Sequence, residues 1–395
     1  MAQRHDIGIG LISVGWMGKL HTRGYTAIPY HYPEFAVRPH LVIAADPEEE
    51  RMNYAREVLG YREATADYHD VLNHPHVDVV SITAPNFLHR EIGLAAAAAG
   101  KPFWIEKPLG RNLAETSDVA AAVRGRGLVT SVGFNYRHVP LVNYARHLVQ
   151  SGQLGEITHL RSVFFNDYAA EPNAALSWRF RRELGGSGAL GDLMSHAVDL
   201  VQYVVGPIVA VTALATTVIR QRPELPMGSG NHFAVIENGT VGRVENEDYA
   251  ASLVRLGGDG PGGGAVGTIE ASRVTVGPRC DVGFEIYGTA GALRWSFERM
   301  NELEVALGKG GAHHGFTTIR AGLEHGDYAH FQPGPGISMG YDDLKVIEAK
   351  LFMESVLAGQ QLAPSVEEAL STVRVLQAAE DSATSGAWES IKATF

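Results

Sequence analysis

Asp192 and His196 stand four residues apart in "GGSGALGDLMSHAVDLVQYVVG" (185–206), and Asp199 follows three beyond His196. On a helix, residues at those spacings share one face. A carboxylate and an imidazole one turn apart can work as an acid/base pair, since histidine titrates near neutral pH. The same pattern also describes the wet side of an ordinary amphipathic helix. Leu193, Ala197, Leu200, Val201 and Val204 make an apolar side, and Asp192, Ser195, His196, Asp199 and Gln202 fall opposite. Spacing alone leaves both readings open.

Lys107 is the other residue placed to do chemistry. It follows the apolar strand in "PFWIEKP" (102–108), at the carboxyl edge where α/β sheets put their ligands. Pro108 fixes the turn and aims the chain out of the sheet. A solvated strand-end lysine would look the same in sequence.

The elements that must position these side chains come in two styles. "DIGIGLISVGWMGKLHTRGY" predicts a strand over 7–12, a tight turn, and a helix carrying Lys19 to Tyr25. The turn Ser13-Val14-Gly15-Trp16-Met17-Gly18 keeps the second and third glycines of a Gly-x-Gly-x-x-Gly dinucleotide fingerprint, with Ser13 in place of the first. Gly15 lets backbone approach a pyrophosphate at the helix N-terminus, and Gly18 permits close helix–strand packing. Asp46 ends the next strand (41–45), where a carboxylate accepts from ribose hydroxyls and repels a 2′-phosphate, which favours NAD over NADP. "AIPYHYPEFAVRP" (27–39) between turn and strand reads as an insertion. Strands over 77–85, 102–108 and 128–135 alternate with helices over 86–100 and 113–127. That is a parallel sheet covered on both faces, a Rossmann-type α/β domain over 1–135.

Beyond 136, runs of strands follow one another without intervening helices through much of the chain to 395. This predicts an α+β domain on a mostly antiparallel open sheet. The outer sheet face would be a large apolar patch if left bare, which implies a homo-oligomer, dimer or tetramer. An amphipathic helix over 366–386 ends at Gly386. The stretch 308–340, with "AHHGF" (312–316) and "HGDYAHFQPGPG" (325–336), reads as a loop-rich insertion.

Composition narrows the function classes. The 395 residues carry 33 Lys and Arg against 44 Asp and Glu, a net charge of −11, which argues against a nucleic-acid surface. A single cysteine, Cys280, rules out an internal disulfide and fits a cytoplasmic, reducing setting. The uncharged run 200–219 is cut by Gly206-Pro207 into a helix end and a strand, so no membrane span is expected. No metal is expected: His74 and His76 in "NHPHVD" lack partner motifs, and no P-loop lysine, His-Glu-x-x-His, Cys-x-x-Cys or Gly-x-Ser-x-Gly appears.

Taken together, these pieces resemble the Gfo/Idh/MocA family of sugar and cyclitol dehydrogenases over nearly the whole chain. The resemblance is carried by the fingerprint turn, "TAPNFLH" (83–89), "EKP" (106–108), "GFNYR" (133–137), "SWRF" (177–180) and "GGSGALGDLMSH" (185–196). It implies NAD, held by Ser13, Gly15, Trp16, Met17, Gly18, Asp46, Pro85, Asn86, His89, Glu106 and Lys107. It also implies catalysis by Lys107, Asp192 and His196, joined at the substrate by Tyr136, Asn166, Asp167, Tyr168 and Arg179. The implied reaction oxidises a secondary ring hydroxyl of a sugar, an anhydrosugar of the levoglucosan kind, or a cyclitol. A glycoside-cleaving relative that uses NAD transiently and a non-catalytic sugar or NAD sensor are the alternatives.

Overall fold

The structure, a computed structural model, describes residues 5–225, 234–237, 239–308 and 315–391. The chain forms two compact units. The first runs to His138 and takes up His330–Pro333 and Met339–Leu370 later in the chain; the second holds the rest. A boundary at 135/136 therefore misses the return of the chain to the first unit.

In the first unit, six parallel strands lie in the order β3-β2-β1-β4-β5-β6: β1 (His5–Ile12), β2 (Val37–Ala45), β3 (Glu63–Thr65), β4 (Val79–Ile82), β5 (Phe103–Ile105) and β6 (Thr130–Val132). Their apolar runs are buried on both faces. On one face Ile12, Val80, Ile82, Ile105 and Val132 pack with Ile92 and Ala96 of the helix Asn86–Ala98 and Val119 and Val123 of the helix Leu113–Arg124. On the other, Ile7, Ile9, Val79 and Trp104 pack with Tyr25 and Ile28 of the helix Trp16–His31, and with Val346, Phe352 and Met353 of the helix Tyr341–Ala358. Covering both faces with helices is what parallel strands require.

The segment 27–39 is mostly regular structure. The first helix continues through Pro29 to His31, and β2 already begins at Val37. Ile28, Tyr32 and Val37 are all buried, so core packing carries regular structure through residues whose turn-forming types suggest a loop.

The second unit is built on a nine-stranded sheet in the order β16-β15-β14-β13-β7-β12-β11-β8-β17. Its strands are β7 (Ile157–Asn166), β8 (Ile208–Thr216), β11 (Tyr249–Leu256), β12 (Val266–Ser272), β13 (Cys280–Gly288), β14 (Gly291–Ser296), β15 (Glu302–Leu307), β16 (Thr317–Arg320) and β17 (Glu389–Ser390). A separate ribbon pairs β9 (Gln221–Pro223) with β10 (Val241–Arg243). Within the large sheet β7 and β12 pair in parallel, and every other neighbouring pair is antiparallel. The helix Ser195–Val204 packs on β7, β12 and β13. On the opposite face, Leu214, Leu253 and Val266 are exposed and share one side of adjacent strands. The helix ends before Gly206, which sits at φ 155°, and β8 begins after Pro207. Among the described residues no helix is long and apolar enough to cross a membrane. Of the 308–340 stretch, the described part holds β16 and a short helix Tyr328–Phe331, while Ala312, His313 and His314 lie outside the described residues.

Candidate active site

The fingerprint turn is shaped by contacts that account for each residue type. Ser13 adopts φ 75°, the left-handed conformation for which the fingerprint ordinarily supplies glycine. A Cβ on Gly18 would lie 2.4 Å from the Ser13 carbonyl and 3.1 Å from Thr83 Oγ1, so this glycine allows the helix to press on the strand. Gly15 is different: among the described residues a Cβ there would meet nothing within 4 Å. Protein packing does not demand glycine at 15, whereas a ligand lying against the backbone would. Gly15 opens a 16-residue helix whose N-terminus has no side-chain cap and no acidic residue in its first turn. Open backbone amides at the positive end of the helix dipole suit a pyrophosphate, so the turn fits a dinucleotide. Trp16 is exposed and stacks on Tyr341, centroids 5.9 Å apart, and Tyr136 meets the same ring edge-on at 6.4 Å.

Asp46 has work inside the protein. Its Oδ2 accepts the Val14 amide at 2.8 Å and its Oδ1 the Glu48 amide at 3.1 Å, and the residue is 2% exposed. The carboxylate thus shapes the fingerprint turn from beneath.

His89 and Glu106, expected at the cofactor, are buried and hydrogen-bonded within the first unit. His89 puts Nδ1 2.6 Å from the Pro108 carbonyl and Nε2 2.7 Å from that of Ala84. It fastens the loop after β4 to the turn after β5; burial holds its pKa down against the pull of the two carbonyls. Pro85 caps the helix that begins at Asn86. Glu106 Oε1 accepts from His21 Nε2 at 3.0 Å and from Lys345 Nζ at 2.6 Å, and Lys345 also donates to Glu348 Oε2 at 2.8 Å. Trp104 Nε1 donates to Glu348 Oε1 at 3.0 Å. Burial pushes the His21 pKa down to about 4, so the ring is neutral. Donating from Nε2 to Glu106, it accepts at Nδ1 from Ser81 Oγ (3.1 Å), and Ser81 in turn accepts from Tyr25 (2.9 Å). Burial opposes the charge on Glu106, but the Lys345 ammonium and the His21 bond hold the carboxyl well below its usual range. Glu348, pushed up by burial to about 7, is the group of this network that gains a proton most readily. Lys107 follows this anchored residue directly, half-buried at the end of β5.

Asp192 and His196 lie in the second unit. The chain enters their helix through a π-helical turn, Leu190–Met194, that passes into the α-helix Ser195–Val204. Gly188 is glycine because a Cβ would sit 2.0 Å from the Glu247 carbonyl. Glu247 receives the entering chain, accepting the Ala189 amide on its carbonyl and the Leu190 amide on Oε1, both at 2.9 Å. Ser195, His196 and Asp199 are all buried, which removes the solvated-face reading of the stripe. His196 lies 5.7 Å from the Phe164 ring. Asp192 Oδ2 accepts from the Tyr168 hydroxyl at 2.9 Å. Burial first, and then the Asp192 charge, raise the Tyr168 pKa far above the usual phenol value, so the hydroxyl stays a donor.

Of the other substrate candidates, Asn166 Oδ1 accepts the Tyr168 amide at 2.9 Å, which shapes the backbone at Tyr168. Asp167 is paired with Arg279. The Arg179 guanidinium lies 4.4 Å from the Trp178 ring centroid. Tyr136 belongs to the first unit, in the 3-10 turn Asn135–His138.

Residues 7–134 match the oxidoreductase family with an NAD-binding Rossmann fold, and residues 142–294 match the GFO/IDH/MocA C-terminal domain. The chain belongs to the Gfo/Idh/MocA family. The levoglucosan dehydrogenase of Pseudarthrobacter phenanthrenivorans is 34% identical to it over 386 residues, 97% of each chain. A solved levoglucosan dehydrogenase in complex with NADH and levoglucosan matches with a TM-score of 0.90 at 33% identity, covering 98% of this chain and 100% of that one. An NAD binding oxidoreductase from Klebsiella pneumoniae matches with a TM-score of 0.90 at 36% identity, covering 99% and 100%. The first unit of this Gfo/Idh/MocA protein is accordingly an NAD-binding Rossmann domain, and the chain is an oxidoreductase.

Sequence reasoning missed the residues that hold the site from behind. Lys345 and Glu348, three apart in "DDLKVIEAK", look like a surface ion pair, and His21 looks like a helix-face polar residue. Nothing local marks any of them as buried. Arg222 and Arg273, taken up below, were equally silent.

Proposed function

We propose that this oxidoreductase removes hydride and a proton from a secondary ring hydroxyl of a sugar, an anhydrosugar such as levoglucosan, or a cyclitol, giving the ketone. The observation that carries the reading is the buried His196 one turn after a half-buried Asp192 that is held by Tyr168. A helix face built only for solvent would not bury its histidine. NAD, when bound, supplies the hydride acceptor. His196 takes the hydroxyl proton as general base, a role open to an imidazole lone pair. Asp192 orients the reacting or neighbouring hydroxyl, and Tyr168 keeps that carboxylate in place. The Lys107 ammonium stabilises the negative charge that develops on the alkoxide oxygen. Gly15, Gly18, Trp16, Met17, Ser13 and Asn86 shape the coenzyme pocket. Asp46, His89 and Glu106 serve it by holding its loops. Arg179, Asn166, Asp167 and Tyr136 address the remaining hydroxyls of the substrate.

The exposed row of Leu214, Leu253 and Val266 supports a homo-oligomer formed through the outer sheet face, and the single cysteine supports a cytoplasmic setting. The test is absorbance at 340 nm with NAD and a panel of levoglucosan, inositols and monosaccharides. Lys107→Met, Asp192→Ala and His196→Ala should each lower kcat at least about 100-fold while NAD still binds. Near-normal rates in all three would end the assignment. Glycoside cleavage without net NADH would point instead to the transient-oxidation reading.

A further inference from the structure

The chain between β7 and the turn Trp178–Phe180 is irregular, yet it carries Tyr168. Two buried guanidiniums define its shape. Arg222, 0% exposed, donates from Nη1 to the Glu171 carbonyl at 2.7 Å and from Nη2 to the Ala169 carbonyl. Arg273, 1% exposed, accepts the Ala169 amide on its own carbonyl at 3.0 Å. The Phe180 ring lies against both, its centroid 4.4 Å from the Arg222 guanidinium carbon and 4.5 Å from that of Arg273.

The far side of this stack is equally fixed. Arg273 Nε pairs with Asp248 Oδ1 at 2.8 Å, and Asp248 Oδ2 accepts the amides of Val218 and Ile219, each at 2.9 Å. Arg273 Nη2 donates to Asn246 Oδ1 at 2.8 Å, and Asn246 Nδ2 donates to the carbonyls of Arg179 (2.9 Å) and Gly186 (3.1 Å). The carbonyls of Ala169, Glu171 and Arg179 are therefore satisfied by side chains of distant segments rather than by a sheet.

Arg222 sits on the β9–β10 ribbon, outside the nine-stranded sheet, and the Leu176 amide ties the loop to the Pro223 carbonyl of that ribbon at 2.7 Å. Burying a guanidinium is costly unless its donors are used. Arg222 spends both terminal nitrogens on loop carbonyls, with only Nε unpartnered among the described residues, and lysine could not reproduce that fork or the stacking on Phe180.

We propose that Arg222 is a positioning residue for substrate selection: braced by Phe180 and Arg273, it sets the form of the 167–177 loop and so the placement of Tyr168 against Asp192. The proposal rests on the reading above, in which Asp192 and Tyr168 face the substrate. Arg222 itself need not touch the sugar.

The experiment pairs steady-state kinetics, on the panel polyol that wild type turns over fastest, with hydrogen exchange on the intact protein. Arg222→Met should raise KM for the polyol at least tenfold and leave KM for NAD within twofold. It should also speed amide exchange across 167–177 with β7 and β13 unchanged. Arg222→Lys should recover less than half of the loss on a logarithmic scale. In a Tyr168→Phe background, Arg222→Met should add less than a further twofold, since the two act through one contact. Unchanged loop exchange in Arg222→Met, or a full additional effect on top of Tyr168→Phe, would overturn the proposal. If Arg222→Met does not fold, Phe180→Leu carries the same comparison with the buried charges intact. If Tyr168→Phe itself leaves polyol KM at the wild-type value, the role assigned to Tyr168 fails with the proposal; loop exchange then shows whether the brace is structural only.

Discussion

Lys345 donates to Glu106 at 2.6 Å across a separation of 239 residues. That contact ties the helix Tyr341–Ala358 to the end of the strand that presents Lys107. A buried cation shared by two carboxylates is strongly coupled to both, and removing it leaves two buried acids facing each other. Lys345→Met should therefore destabilise the protein by about 3–5 kcal/mol. Glu348→Gln added to Lys345→Met should recover part of the loss, because one of the stranded charges is gone. Urea unfolding midpoints check both, and a single-variant loss below about 1 kcal/mol would mean that the network does not hold the strand end.

Gly15 and Ser13 give opposite expectations from neighbouring positions. A Cβ on Gly15 meets no atom of the described residues within 4 Å, so Gly15→Ala should leave the melting temperature nearly unchanged while weakening NAD binding at least about tenfold, through the close backbone approach that the fingerprint serves. Ser13 sits at φ 75°, and Ser13→Gly should raise stability by about 1 kcal/mol with NAD affinity kept. Calorimetry beside a fluorescence titration of NADH reads both. If Gly15→Ala bound NADH as wild type does, the dinucleotide would not lie over residue 15.

These two residues also show what was legible in the sequence. The parallel sheet, the turn and the lysine after β5 could be read because each follows from a local pattern: apolar runs, glycine spacing, a strand end. The helical stripe at Asp192 and His196 was visible as spacing, but the burial of Ser195, His196 and Asp199 was not, since spacing does not say what lies opposite. Residues 27–39 looked like an insertion because the gap from Gly18 to Asp46 is longer than usual; that the first helix and β2 would take up this length, with Ile28, Tyr32 and Val37 in the core, had no local mark. The supports of the site were illegible. Lys345, Glu348, Arg222 and Arg273 act across distances of tens to hundreds of residues, and sequence gives such partners no mark.

Asp46 bears on coenzyme choice in a way that strand position alone does not suggest. Its oxygens already accept the amides of Val14 and Glu48, at 2.8 and 3.1 Å, so replacing it disturbs the turn before it alters the ribose pocket. Asp46→Ser should weaken NAD about tenfold or more, roughly the 1.5–3 kcal/mol of a charge-assisted hydrogen bond. It should not create a useful NADP activity, although Arg51 stands nearby, 3.7 Å from the carboxylate. Ratios of kcat/KM for the two coenzymes decide this. A switch toward NADP with undiminished stability would make Asp46 a simple charge gate instead.

Stability should depend on pH through the first unit's buried imidazoles. Burial takes His21 from an ordinary value of 6.5 to about 4, and His138, also pressed by Lys345 and Arg137, from 6.5 to about 3. Below 6.5 the unfolded chain therefore binds protons that the folded chain refuses, so stability falls as pH drops from 6.5 toward 4 and is fully present above 6.5. Each imidazole contributes on the order of 3 kcal/mol over that window, and His89 adds the same sign. Glu348 acts in reverse: raised from 4.5 to about 7, it keeps a proton in the folded state and lowers stability as pH rises through that range. Glu106, held below its ordinary value, matters only under pH 4.5. The imidazoles outweigh the one carboxyl up to pH 6.5, and Glu348 alone acts just above it, which sets the maximum near 6.5. His138→Leu should flatten the acid limb, because it removes a buried ring held neutral, whose Nε2 has no hydrogen-bond partner among the described residues. Glu348→Gln should instead abolish the decline between about 6.5 and 7.5. Thermal midpoints recorded from pH 4 to 9 for the three proteins separate these effects, and a wild-type profile flat from 4 to 6.5 would show that the imidazoles are not held neutral.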